Sequence, residues 1–231
     1  MENVNMSSKV EKFEKFLEST GGAIDVSHLL KDKNRLGVGA NGEVYSLGKY
    51  VLKITDPDDA IHETKFLNRA TGQNARFKRI QSYYGYEAVI VSTEKYWRTL
   101  FDVIFVDNKP FSSEELLELF GTIMVELERL HFRGVCHGDV HSGNIMFTHK
   151  NNYSSVSFID FGHAGYIENN EDTVSDVEGV IQLCQEAMDN FEYDVNGVWI
   201  FLRNLYRKQH EARSSNRVLR SGKVVKKCRL N

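Results

Sequence analysis

The apolar positions along the chain change rhythm several times. In residues 8–19, Val10, Phe13, Phe16 and Leu17 repeat at helical spacing and Gly21-Gly22 ends the run, which predicts an amphipathic helix on the outside of the body. From Leu36 the rhythm shortens. Leu36–Tyr45 and Tyr50–Ile54 read as strands around a tight connection at Ser46-Leu47-Gly48-Lys49. Asp58-Asp59 opens a helix that reaches about Ala70, because acids favour a helix N-terminus. Tyr83–Val91 is rich in β-formers and predicts one or two further strands. A long helix comes next. Ser112 with Glu115 three positions later forms a capping box; Leu116, Leu117, Phe120, Ile123, Met124, Leu127 and Leu130 keep helical spacing, and Gly134 suits the stop. Val135–His137, Ile145–Phe147 and Val156–Ile159 read as short strands, and helices over Val174–Met188 and around Val198–Lys208 complete the pattern. Strands with one helix, followed mostly by helices, predict an α+β fold in two lobes rather than a wound parallel sheet.

The chain has 231 residues, 41% of them hydrophobic, which fits one domain of two lobes or two small domains, with enough apolar content for a real core. Cys136, Cys184 and Cys228 are odd in number and far apart, a pattern that favours a reducing compartment over a disulfide framework. The first residues lack the apolar run of a signal peptide and no apolar stretch approaches a membrane span. The expectation is an intracellular protein, cytoplasmic or nuclear (in a host cell if viral or an effector), with no membrane partner. Net charge is −3 but unevenly spread: from Arg207 onward nine Lys/Arg stand against Glu211, a segment of +8 that leaves residues 1–206 at −11. A basic tail on an acidic body suggests an anionic partner, RNA or an acidic protein; a solvated end that aids solubility is the alternative.

Against this background a few residues carry candidate chemistry. Gly37-Val38-Gly39-Ala40-Asn41-Gly42-Glu43-Val44 fits G-x-G-x-x-G-x-V within a predicted hairpin, where backbone N–H groups can approach phosphate oxygens without a Cβ in the way. Lys53 lies in the apolar strand Val51-Leu52-Lys53-Ile54, and an ammonium there needs a partner unless it points to water from an edge. Glu63, on the following helix, is the chosen partner by position. In His137-Gly138-Asp139-Val140-His141-Ser142-Gly143-Asn144-Ile145-Met146-Phe147 an aspartate precedes an asparagine by five positions, and Phe158-Ile159-Asp160-Phe161-Gly162 follows. Asp139 suits a base; Asn144 and Asp160 offer the hard oxygens that Mg²⁺ prefers. Phe161 is expected to pack inward and Gly162 to permit the sharp turn. His137, His141 and Cys136 lack a second ligand pair at zinc spacing, so His137 reads as a structural hydrogen-bonding residue.

Taken together, these motifs, from about Leu36 to Met188, resemble the protein-kinase-like superfamily. The resemblance implies a two-lobed protein-kinase-like fold with a β-rich N-lobe, a reduced helical C-lobe and Mg²⁺ with ATP between them. It implies ATP-binding roles for Gly37, Gly39, Gly42, Val44, Val51, Lys53 and Glu63, catalytic roles for Lys53 and Asp139, and metal ligation by Asn144 and Asp160. It also implies that Asp176 accepts hydrogen bonds from the catalytic-loop backbone. The expected divisions are 1–93 for the N-terminal helix and nucleotide-binding lobe, 94–206 for the catalytic lobe and 207–231 for the basic tail.

The departures matter too. Gly138 stands where an arginine usually precedes the aspartate, no Ala-Pro-Glu motif follows Gly162, and Asp176 comes too soon after Asp160 for a full activation and peptide-docking segment. His-Gly-Asp-x-His is similar to the aminoglycoside- and choline-type kinases. The short segment after Asp160 and the basic tail are similar to the small kinase of the KEOPS tRNA-modification complex, and compact viral and bacterial-effector kinases share the economy. The expected function is a minimal, atypical Ser/Thr protein kinase acting on a protein hydroxyl. The alternatives are a small-molecule kinase, a non-catalytic nucleotide-binding module, or an ATPase or kinase subunit of an RNA-modifying complex.

Overall fold

Five antiparallel strands and two helices build the N-terminal unit, Met1–Lys95, in a computed structural model that describes residues 2–19, 22–39, 42–150, 152–194 and 197–221. The strands are β1 (Arg35–Gly39), β2 (Gly42–Leu47), β3 (Tyr50–Thr55), β4 (Arg76–Tyr83) and β5 (Tyr86–Ser92), in the spatial order β1-β2-β3-β5-β4. The single strand expected over Leu36–Tyr45 is a hairpin, β1 to β2, whose residues 40 and 41 lie outside the described residues. β4 was not expected at all. It is an edge strand with Ile80 its one buried residue, so it lacks the apolar alternation that reveals a half-buried strand.

Strand alternation gives this sheet two different faces. On one, Tyr45, Leu47, Leu52, Ile54, Val89 and Val91 form a core with Phe13, Phe16 and Leu17 of α1 (Glu2–Glu18). Phe13 meets Tyr50 edge-on at 5.7 Å, and Glu14 holds Lys49 at 2.7 Å. On the other face, Ala88 and Ile90 pack with Ala60 and Leu67 of α2 (Pro57–Thr71). Val44 pairs with Lys53, and Ser46 with Val51, so Val44, Val51 and Lys53 share this second face with α2. Pro57 at the first helical position and Gly72 at φ 78 past the end delimit α2.

The second unit, Tyr96–Asn231, is mainly helical. β6 (Arg98–Thr99) leads through a π-helical turn to α3 (Ser113–Phe132), which begins on the expected capping box: Glu115 N–H donates to Ser112 Oγ at 3.2 Å, and Ser112 N–H to Glu115 Oε2 at 2.7 Å. Leu116, Phe120, Ile123, Met124 and Leu127 of α3 are fully buried. After α3 come β7 (Val135–Cys136), β8 (Ile145–His149), β9 (Asn152–Phe158) and β10 (Gly165–Tyr166). They pair as β6-β8-β9 and β7-β10. Two helices follow, α4 (Asn170–Asn190) and α5 (Val198–Ser221).

α5 does not end near Lys208. It continues to Ser221, so the basic stretch from Arg207 is helical through Ser221, and its last ten residues, 222–231, lie outside the described residues. An α+β architecture with a β-rich first part and helices in the second meets the expectation. No described helix is long and apolar enough to cross a membrane.

Candidate active site

The β1–β2 hairpin carries the three glycines for different reasons. Gly42 has φ +143, and a Cβ there would stand 2.0 Å from the Ile54 carbonyl oxygen of β3, so close strand packing demands glycine. Nothing lies within 4 Å of a Cβ built on Gly37, and Gly39 meets only the Gly42 carbonyl at 3.9 Å. Packing therefore does not explain these two. β1 is exposed along its whole length, with Leu36 61% and Val38 65% exposed.

One strand over, Lys53 of β3 and Glu63 of α2 meet at 2.7 Å with little solvent on either (side chains 15% and 8% exposed). β3 places Lys53 two residues from Val51 on the α2 face, and the second turn of α2 brings Glu63 to it. The partner chosen by position is the one the fold supplies.

In the C-terminal unit the turn after α3 brings the chain into β7, and β7 pairs with β10 through Gly165 to Cys136 and Tyr166 to Val135. This short ladder fixes the segment 137–144 against the segment 159–164. Ile159 N–H donates to the Asn144 carbonyl at 2.9 Å. His137 is fully buried; its Nε2–H donates to the Ile159 carbonyl at 2.9 Å, and its Nδ1 accepts the Asp139 N–H at 3.3 Å. Burial holds the His137 imidazole below its ordinary value, which keeps the ring neutral and suits one donor and one acceptor nitrogen. Both ring nitrogens thus serve the backbone, the structural role expected for this histidine.

Asn144 and Asp139 are brought together. The Asn144 amide nitrogen donates to both the Asp139 carbonyl and Asp139 Oδ2, each at 3.0 Å. Asn144 is 6% exposed, whereas the Asp139 side chain is 43% exposed and has His141 Nε2 at 3.5 Å from Oδ2. His141 bends back on its own loop, its Nδ1 accepting the Gly143 N–H at 3.1 Å. With the amide nitrogen committed to Asp139, Asn144 retains its oxygen as a donor to a cation.

Asp160 follows β9 in a left-handed conformation, φ 59 and ψ 76. The expectation had Gly162 making the sharp turn. Instead Asp160 takes the positive φ, an αL position that aspartate tolerates, and Gly162 lies inside the 3-10 turn Phe161–His163. Phe161 is fully buried and packs against the His137 ring at 5.1 Å. A carboxylate and an amide oxygen are hard donors that suit Mg²⁺, an ion that keeps several waters and takes substrate phosphates as ligands. No cluster of three His, Cys, Asp or Glu suited to a metal occurs among the described residues, so a softer ion such as zinc has no cage there.

Asp176 of α4, 2% exposed, grips this loop from below: Oδ2 accepts the His137 N–H at 2.6 Å and Oδ1 the Gly138 N–H at 2.9 Å. Burial alone would raise the Asp176 carboxyl; the hydrogen bond from His131 and those from the two backbone N–H groups bring it below the usual aspartate value. His131, in the last turn of α3, contributes that bond through Nε2 at 2.8 Å. Sequence reasoning did not single out His131, because a histidine at the end of an apolar helix carries no distinctive signal.

Residues 30–184 match the protein kinase domain family. The chain is 26% identical over 204 residues to the probable serine/threonine-protein kinase fnkE of Dictyostelium discoideum, an alignment covering 73% of this chain and 15% of that protein. It is 33% identical over 61 residues to the probable serine/threonine-protein kinase 2 of Plasmodium falciparum, covering 26% of this chain and 12% of that one. The chain thus spans a small part of the length of the relatives it matches.

Proposed function

We propose that this chain, which belongs to the protein kinase family, is a minimal, atypical serine/threonine kinase that moves the γ-phosphate of Mg-ATP to a protein hydroxyl. The observation that carries the reading is the grip of Asn144 on Asp139: the amide fixes one carboxylate oxygen at 3.0 Å while the side chain stays 43% exposed and open to an acceptor. The serine/threonine choice follows the two relatives, both described as probable serine/threonine-protein kinases.

Bound Mg-ATP supplies the transferable phosphoryl group and divalent charge. The chain's residues do the positioning. Asp139 orients the incoming hydroxyl and accepts its proton. Asn144 and Asp160 hold the metal through oxygen. Lys53, kept in place by Glu63, neutralises phosphate charge, and the backbone at Gly37, Gly39 and Gly42 covers the phosphates. Val44 and Val51 flank Lys53 on the same sheet face and offer apolar contact to a base.

The test is transfer of label from [γ-³²P]ATP with Mg²⁺ to casein and to the chain itself. Asp139→Asn, which preserves shape, is expected to lower the rate by roughly 100- to 10,000-fold with unchanged circular dichroism. Wild-type transfer by that variant would remove the assignment. A second reading, a small-molecule kinase, draws support from the segment 161–169, which runs straight from Asp160 into α4 with only a 3-10 turn and β10 between. Phosphorylation of an aminoglycoside or choline, with casein left unlabelled, would favour it.

A further inference from the structure

α5 begins beyond residue 184, where the match to the family ends, yet one of its side chains is linked through hydrogen bonds to the loop that carries Asp139. Tyr206, 3% exposed, places its hydroxyl 2.5 Å from Nδ1 of His131, itself 4% exposed. The other ring nitrogen of His131 lies 2.8 Å from Asp176 Oδ2. That oxygen also receives the His137 N–H at 2.6 Å, and Oδ1 receives the Gly138 N–H at 2.9 Å. A continuous set of hydrogen bonds, buried as far as His137, therefore runs from α5 through α3 and α4 to the two residues preceding Asp139.

Donor and acceptor requirements fix the protons along this path. An ionised Asp176 only accepts, so the nitrogen facing it, Nε2 of His131, carries the proton. In a neutral ring the opposite nitrogen is then a bare acceptor, and left unpaired in a buried site it would be costly. The Tyr206 hydroxyl is the donor that meets it. We propose that Tyr206 is a positioning residue: its hydroxyl holds His131 in one tautomer and one orientation, and through His131 it aims the Asp176 carboxylate at the backbone of the Asp139 loop. This deepens the kinase reading and rests on it for its effect on rate; the proton placement stands apart from it.

α5 has a second attachment that separates orientation from simple anchoring. Glu128 of α3 is fully buried and faces Arg213 and His210 of α5, with His210 Nδ1 at 3.5 Å. Arg213 fastens the helix without touching the His131–Asp176 path. The Tyr206 ring also stacks on His210 at 6.1 Å and meets His131 edge-on at 5.6 Å, contacts that phenylalanine would keep.

The test compares Tyr206→Phe with Arg213→Gln in the full chain. Kinetics of Mg-ATP transfer to casein are combined with ¹⁵N–¹H spectra of the His131 ring and the Gly138 amide. Tyr206→Phe is expected to lower kcat roughly 10-fold, as loss of a supporting hydrogen bond commonly does, with KM for ATP unchanged. The His131 Nδ1 and Gly138 signals should move with it. Arg213→Gln should lower the urea midpoint while leaving kcat and both signals in place. The wild-type spectrum is itself decisive should a variant not fold: a proton on Nδ1 of His131 rather than Nε2 overturns the proposal. So does Tyr206→Phe with unchanged kcat, or with unmoved His131 and Gly138 signals. If the wild type transfers no phosphate, the kinase reading fails by itself, and the spectra still decide the role of Tyr206.

Discussion

Gly138 sits at φ +76, and a Cβ there would lie 2.4 Å from the His163 carbonyl oxygen. The resemblance leads one to expect arginine at this position. The fold gives a physical reason for glycine: the turn after Asp160 passes too near the loop backbone for any side chain, and the backbone angle disfavours one as well. Gly138→Ala is therefore expected to cost about 1–3 kcal/mol in urea unfolding, the range for a residue forced into a sparsely populated conformation. An unchanged midpoint would show that this close approach is not fixed. Two contacts at this scale were legible beforehand. Lys53, a cation in an apolar strand, was paired with Glu63 by position on the following helix, and the two meet at 2.7 Å; Asp176 was expected to accept from the backbone of the Asp139 loop, and it takes the His137 and Gly138 N–H groups. Tyr206 and His131 were not legible, because a tyrosine and a histidine on apolar helix faces look like core until their polar ends are seen to meet.

Among the elements, α3 and α2 were readable from their starts: Ser112 and Glu115 cap one ahead of a helical apolar period, and the acids Asp58 and Asp59 open the other. β6 and β10, two residues each, are too short to show any period. The end of α5 was misplaced for another reason. Past Lys208 its inward contacts are made by His210 and Arg213 on buried Glu128, and polar side chains that bury against a charge leave no mark in hydropathy. Asp176 makes a testable link between α4 and the Asp139 loop. Its carboxyl is held below the usual aspartate value by its hydrogen bonds, so its contribution to stability is complete above that usual value and is lost as pH falls through the lower, folded one. Asp176→Asn should cost on the order of 2–3 kcal/mol near neutrality, as for hydrogen bonds lost to a buried charged acceptor, and the gap to wild type in urea melts should narrow below the usual aspartate value. A gap that stays constant with pH would mean that the carboxylate charge is not what matters.

For the whole molecule, the β-rich unit supplies Lys53, Glu63 and the glycine hairpin, and the helical unit supplies Asp139, Asn144 and Asp160. Each set is locally ordered by its own contacts: Lys53 to Glu63 at 2.7 Å in the first, Asn144 to Asp139 at 3.0 Å in the second. The kinase account requires both sets to serve one nucleotide. The most direct measurement is the rate of labelled phosphate transfer from Mg-ATP by wild type, Lys53→Met and Asp160→Asn, one change in each unit. The account predicts transfer by wild type and a loss of at least roughly 100-fold in each variant, the scale for removing a charge that stabilises the transition state. Transfer at the wild-type rate by either variant would contradict it.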